Sequence, residues 1–519
     1  MKLIHLLEHQ YTRAGLSPAV LKNGDAAVVD VLTRAAELSA CDGALGILKL
    51  EESGSAEITE YHGRDRSYGW RRDRRPPPES SAYDVIDVHE RVAEIDGWIP
   101  ILGEAPVGPM PFLEDELSPP GVLEDEPLDE DRVSEATGNE GASFERSYRR
   151  AVMVLWRRDR RIAMTAQGGW SQAAPILKRL LRGARQGGDA PVEALELASH
   201  LVDGWESGDR GAMLAMLERI GDAGLLERFI TEVVAVHYNG SENEALSSAS
   251  LMLSAERCGE LFPAMVGAQI KRHPLPCAEL VGALVAAWME IDGGRPLCAR
   301  LAEVLAARIE DASPAVWWSR GADHRSFLAA ALTAIASAGD PVLSLAAVST
   351  VLGAPQRYPA DGALIEAALE IDRAGDPLAN GTPWFGALWR ACVEHLLARS
   401  AEVPVRPPTW ARDASYVSCR CADCAELARF LRDPAQESAR FKRAQAARHH
   451  VAGSASRADV SQTTDRSGST HTLVLSKNTR SYDERCMQRT KDLAALQRLG
   501  KMSMPEELAA LAERARSLT

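Results

Sequence analysis

Aromatic side chains are scarce in this chain, only 5% of its 519 residues, and Ala and Leu recur in their place. Those two residues cost least in helical backbone, so the composition favours a mainly α protein. Long apolar runs are missing as well: the longest stretches carry charges at helical spacing, and none reaches the roughly 20 residues that span a bilayer. The opening MKLIHLLEHQYTRAG is interrupted by His5, Glu8 and His9 and is followed by no small-residue cleavage site, so no secretory leader is expected. An excess of positive charge is lacking; the net charge of −14 opposes wholesale binding to nucleic acid. A Walker loop, a G-x-S-x-G elbow, an H-E-x-x-H helix and a glycine-rich dinucleotide fingerprint are all absent, so no enzyme class with one of those signatures is indicated.

What is present sorts into three stretches, since 519 residues are too many for one compact core. Residues 1–165 are expected to be a mixed α/β region. AAVVDVLTRAAELSA (26–40) has helical spacing, while ALGILKLEE (44–52) and AEITEY (56–61) alternate like paired strands, with Ser53-Gly54-Ser55 as the turn between them. YDVIDVHERVAEIDGW (83–98) alternates again, and RAVMVLW (150–156) reads as a buried strand. RRDRRPPPESS (71–81) is basic and Pro-rich, and LEDELSPPGVLEDEPLDEDR (113–132) has nine carboxylates and no base before Arg132; both are expected to be solvated loops.

Residues 166–403 read as helix after helix. Asp189 ahead of Pro191, Ser313-Pro314 and Asp340-Pro341 have the character of helix starts, where an N-cap meets a Pro in the first turn. The amphipathic runs APVEALELASHLVDGW, SFLAAALTAIASA and PVLSLAAVSTVLG suit an α-solenoid-like helical repeat domain, whose extended surface would take a protein partner. Trp317, Trp318, Trp384 and Trp389 are expected core anchors. Residues 404–519 change character and are expected to form a small separate module, closed by a helix with Leu493, Leu496 and Leu499 as a packing stripe.

The chain has nine cysteines, an odd number that opposes a disulfide framework. Cys41, Cys258, Cys277, Cys298 and Cys392 lie singly in apolar helical surroundings, as buried thiols of a reducing, cytoplasmic protein would. Cys419, Cys421 and Cys424 differ: C-x-C-x-x-C within one turn region supplies three tetrahedral ligands to zinc. A fourth would come from His449, the first choice, or from His450, His471 or Cys486; the competing reading is three unligated thiols. A closed, thiolate-rich set leaves no position for a substrate water, so such a zinc would be structural. Arg clusters at 71–75, at 146–161 and at Arg440, Lys442, Arg443 and Arg448 are expected to be solvated faces, with nucleic-acid binding as the alternative.

LEHQYTRAGLSPAVLKNGDAAVVDVL near the start, SEATGNEGASFERSYRRAVMVLWRRDR (134–160), CRCADCAELARFLRDP and GSTHTLVLSK resemble segments of 2-oxoglutarate/Fe(II) oxygenase-like proteins with a prolyl 4-hydroxylase-type domain in bacteria and fungi. The resemblance covers the region C-terminal to the oxygenase core, a double-stranded β-helix that holds iron through His-x-Asp/Glu and a distant His. Yet the residue two places after each of the twelve histidines is never Asp or Glu. No catalytic or cofactor-binding residue is therefore carried over, and Fe(II) and 2-oxoglutarate would enter only through an upstream domain or a separate chain. The resemblance implies a non-catalytic C-terminal region engaged in macromolecular recognition. Its alternatives are part of an active hydroxylase completed by a missing segment, and a zinc-dependent nucleic-acid-binding protein.

Overall fold

A computed structural model describes residues 2–58, 83–106, 108–123, 127–134, 142–183, 191–311, 323–374, 381–467 and 471–518. The basic run at 71–75, Asp189, Ser313-Pro314 and Trp317-Trp318 lie outside these residues. The chain divides into two compact units, Met1–Ser254 and Ala255–Thr519. That boundary falls inside the 166–403 stretch expected to be one helical domain.

The first unit is built on a seven-stranded sheet. Its strands are β1 (Leu3–Leu6), β2 (Cys41–Ile58), β3 (Tyr83–Leu102), β4 (Met110–Pro111), β5 (Leu117–Ser118), β6 (Glu130–Ser134) and β7 (Ala142–Arg157), in the order β4-β3-β2-β7-β1-β5 with β6 also on β7. Only β1 and β5 run parallel. β7 is the hub: β2 follows one of its edges throughout, while the other is shared between β1, on Val152–Leu155, and β6, on Ser143–Ser147. The run AVMVLW is apolar at every position because both faces of β7 are covered. Ala151 and Met153 cluster with Val29 of the helix Asn23–Leu38; Val152, Val154 and Trp156 cluster with Met110, Phe112, Leu117 and Met164.

Two expectations for this unit need correction. Ser53-Gly54-Ser55 is not a turn, because β2 continues through it and its ladder to β3 is merely shifted by bulges at Ser53/Gly54 and Ser55/Ala56. Gly54 is what lets β3 pass: a Cβ there would lie 2.0 Å from the Asp87 carbonyl oxygen. Bulges and turns draw on the same residue types, and only the partner strand tells them apart. The acidic stretch 113–132 is likewise more than a loop. Leu117 and Leu123 are buried in the core. Buried Glu116 pairs with the Lys2 ammonium at 2.8 Å, and Asp129 accepts from the Arg149 amide at 2.6 Å and the Arg150 guanidinium at 2.7 Å.

The second unit holds the helices Ala255–Gln269, Pro274–Trp288, Gly294–Arg308, Asp323–Ser337, Pro341–Gly353, Ile365–Ala374 and Pro383–Ser400. Each of the first five packs on the next but one in the series. Asp340 caps its helix as expected, accepting from the Val342 and Leu343 amides at 2.8 and 3.1 Å. Trp384 and Trp389 are buried, as are Cys258, Cys277, Cys298 and Cys392, whereas Cys41 is only partly so. Burial lifts the Cys258 and Cys392 thiols to about 12, which keeps them protonated and inert. Among the described residues no helix is long and apolar enough to cross a membrane.

The chain beyond 404 is only in part a separate module. Its helix Arg480–Leu499 packs on Pro383–Ser400, burying Leu496 and Leu499. The Trp389 indole donates to the Leu499 carbonyl at 3.0 Å, and the Arg399 guanidinium forks onto buried Asp492 at 2.7 and 2.5 Å. The part before Arg480 is a three-stranded antiparallel sheet, β8 (Ser438–Lys442), β9 (Val460–Asp465) and β10 (Thr472–Lys477) in the order β8-β10-β9, together with the helices Ala422–Arg432 and Gln445–Ala455. Phe430, Phe441, Val451, Leu473 and Leu475 form its core.

Candidate metal centre

The three cysteines come together because of how the helix Ala422–Arg432 begins. Cys421 is its N-cap, in extended backbone, and the Cys421 sulfur accepts from the Cys424 amide at 3.4 Å. This places Cys424 one turn in, where it is fully buried, and leaves Cys421 exposed at the helix end. Cys419 stands in the loop just before. The fourth side chain is delivered by the helix Gln445–Ala455: His450 Nε2 lies 3.5 Å from Cys421 Sγ and 3.2 Å from Cys424 Sγ. The donor atoms of Cys419, Cys421, Cys424 and His450 all lie within 4.8 Å of one another, a group that could hold a metal ion.

The choice of His449 as fourth ligand is therefore corrected to its neighbour. Successive helical residues project about 100° apart, so adjacent histidines cannot share a target. Val451 and Ala455 mark the buried face of this helix. His450 lies about 100° from Val451, on the flank that also carries Ser454, whereas His449 lies about 200° away; both are exposed. Ser454 Oγ stands 3.5 Å from Cys424 Sγ, on the same side as His450. This phase is visible in the sequence once the helix and its core stripe are placed. His471 and Cys486 stand outside the group of converging donors.

The two thiols of the C-x-x-C pair have different surroundings. Cys421 is drawn down to about 7, first by the hydrogen bond from the Cys424 amide and then by Cys419 and His450; burial pushes Cys424 up to about 11. The first thiolate thus forms at the exposed helix end, where the amide dipoles favour it.

A second group of candidate donors, Glu8, His9 and Asp25, is of another kind. Asp25 is buried at the start of the helix Asn23–Leu38 and is taken up by the chain itself. It accepts from the Glu8 amide at 2.7 Å, from the His9 amide at 3.2 Å and from the Tyr11 hydroxyl at 2.8 Å, and faces His9 Nδ1 at 2.9 Å. Burial raises its carboxyl, but these hydrogen bonds outweigh it and hold the group below the ordinary carboxylate range. It clamps a loop to a helix. Among the described residues, neither group combines two histidines with one carboxylate.

No family model matches this chain, and neither a curated protein nor a solved structure is found to match it.

Proposed function

We propose that this chain is a non-catalytic recognition protein whose C-terminal module is folded around one structural zinc ion held by Cys419, Cys421, Cys424 and His450. The observation that carries this reading is the convergence of four donors from two helices and a loop. Zinc with thiolates at about 2.3 Å and imidazole at about 2.0 Å sets tetrahedral sulfur–nitrogen edges of about 3.5 Å, close to the 3.5 and 3.2 Å from His450 to its two cysteines. Three thiolates and one imidazole complete a tetrahedron and leave no position for a substrate. The ion would supply order: it ties the start of Ala422–Arg432 to the middle of Gln445–Ala455, and its binding energy becomes folding energy.

The absence of a His-x-Asp/Glu spacing supports the non-catalytic part, and the next-but-one packing of the helices from Ala255 to Ser400 supports a solenoid-like stack offering surface to a protein partner. A second reading, a thiol-exchange pair, is favoured by the contrast between exposed Cys421 and buried Cys424. Metal analysis separates the two. Protein purified without a His-tag should contain close to one zinc per chain; Cys421→Ser and His450→Ala should lower this to near zero, and His449→Ala should leave it unchanged. A metal-free wild type that cycles between dithiol and disulfide would instead establish the second reading. Succinate formation from 2-oxoglutarate with Fe(II) and ascorbate, abolished by chelator, would refute the non-catalytic one.

A further inference from the structure

Among the described residues, strand β3 has an open edge. From Tyr83 to Val92 it pairs with β2 along one side, whereas β4 meets its other side only at Glu94 and Ile95, with one more bond from the Phe112 amide to the Ala93 carbonyl. Among the described residues no backbone group bonds to the outer edge of 83–92. Val85, Ile86 and Val88 on this length are 37%, 64% and 39% exposed, an unusual display for a strand edge left uncovered.

Beside the end of that edge lies a cavity of about 930 Å³, inside the first unit, whose lining includes Trp170, Trp205, Glu94 and Glu206. Its two indoles are held in place. Gly208, at φ 154°, brings its backbone against Trp170, where a Cβ would come within 2.5 Å of the ring. Trp205 stands 5.3 Å from Trp170 and rests edge-on against buried Phe229 at 4.9 Å. Both indoles are only half-buried.

Charge points the same way. Asp84, Glu90, Glu94 and Glu206 have no ion pair among the described residues. Of the basic side chains lining the groove, Arg91 is paired with Glu52 and Glu114, and the His200 imidazole lies 4.0 Å from Glu196. The first unit as a whole has 43 Asp and Glu against 27 Lys and Arg, whereas the second is nearly balanced. An open edge is satisfied by another extended backbone, and aromatic faces beside carboxylates suit the alkyl stem and charge of Lys or Arg.

We propose that the first unit binds a basic, extended segment of a partner protein, which adds a strand to β3 along Tyr83–Val92 and sets a Lys or Arg side chain against Trp170 and Trp205. This takes recognition to a surface that does not depend on the metal centre.

The test uses the full chain and a fluorescent octapeptide alternating Lys with Val. Three control peptides accompany it: one with Glu in place of Lys, one N-methylated at alternate amides, and one in random order with the same charge. The basic peptide should bind, more weakly as salt rises, and the Glu and N-methylated peptides should bind at least tenfold more weakly. Asp84→Lys with Glu90→Lys, both exposed and without an ion pair among the described residues, should lower affinity about tenfold with the zinc content unchanged. Trp205→Ala should do the same, and since Trp205 also supports Phe229 its fold would be checked by its melting curve. Equal binding of the N-methylated or randomised peptide would reduce the effect to bulk charge and overturn strand addition. No binding at all, or a chain that pairs edge-to-edge with a second copy in sedimentation, would overturn the partner assignment.

Discussion

The two sheets of this protein are stabilised in different ways. The seven-stranded sheet has long central strands and is covered on both faces, by the helix Asn23–Leu38 on one side and by Phe112, Leu123 and Met164 on the other. The three-stranded sheet buries Phe441, Leu473 and Leu475 on one face only; Ser438, Arg440 and Thr463 on its other face are exposed. Its cluster has eleven buried apolar residues in a stretch of roughly 70, the size at which a core alone seldom suffices and a metal or disulfide is added. The clustered cysteines thus occur where apolar burial is thinnest, while the larger sheet has only the single Cys41, at the start of β2.

This contrast is open to attack, and the largest effect should come from metal removal. Chelation should open the amides of β8, β9 and β10 to hydrogen exchange while those of β2 and β7 stay protected; equal loss in both sheets, or none in either, would erase the distinction. A side chain at Gly54 probes the other partner of the comparison. Gly54→Val forces β3 away at Asp87 and should cost about 3 kcal/mol, read as an earlier unfolding transition of the first unit with zinc content intact. Smaller is the effect of Asp492→Ala, which leaves Arg399 without its fork. Because Arg399 is about a third exposed, the loss should be about 2 kcal/mol, below that of a fully buried pair, and confined to the second unit.

The smallest concerns Asp25. Its carboxyl is held below its ordinary value, so the stability it contributes is present above the unfolded carboxylate range and is lost as pH falls through the lower, folded value. Asp25→Asn should therefore cost about 1 kcal/mol at neutral pH, and the gap between variant and wild type should close on acidification. A gap that stays constant into strong acid would show that the interaction is one of packing alone.

Much of the larger sheet was legible because its signals are local. The helix at 26–40 and the strand RAVMVLW follow from periodicity and unbroken apolarity. What escaped was set by partners distant in the chain. Ser53-Gly54-Ser55 carries turn residues, and only the approach of Asp87 makes it a bulge. The closing helix shows its Leu stripe, but nothing local says that Trp389 and Arg399 await it. At the metal centre the cysteine spacing was informative and the histidine was not, since two adjacent histidines differ only in helical phase, which Val451 and Ala455 define once they are known to be buried.

The shared edge of β7 also sets the order in which a newly made chain can close its sheet. Leu3 of β1 finds its antiparallel neighbour in Leu155, roughly 150 residues later, so β1 is made long before the edge of β7 that it joins. At about 5–20 residues per second of synthesis, that strand waits about 8–30 s for its partner, and its apolar residues need shelter for that time. Such long-range closure is slow by nature, which makes completion of this sheet the step at which nascent chains are most exposed to misassociation.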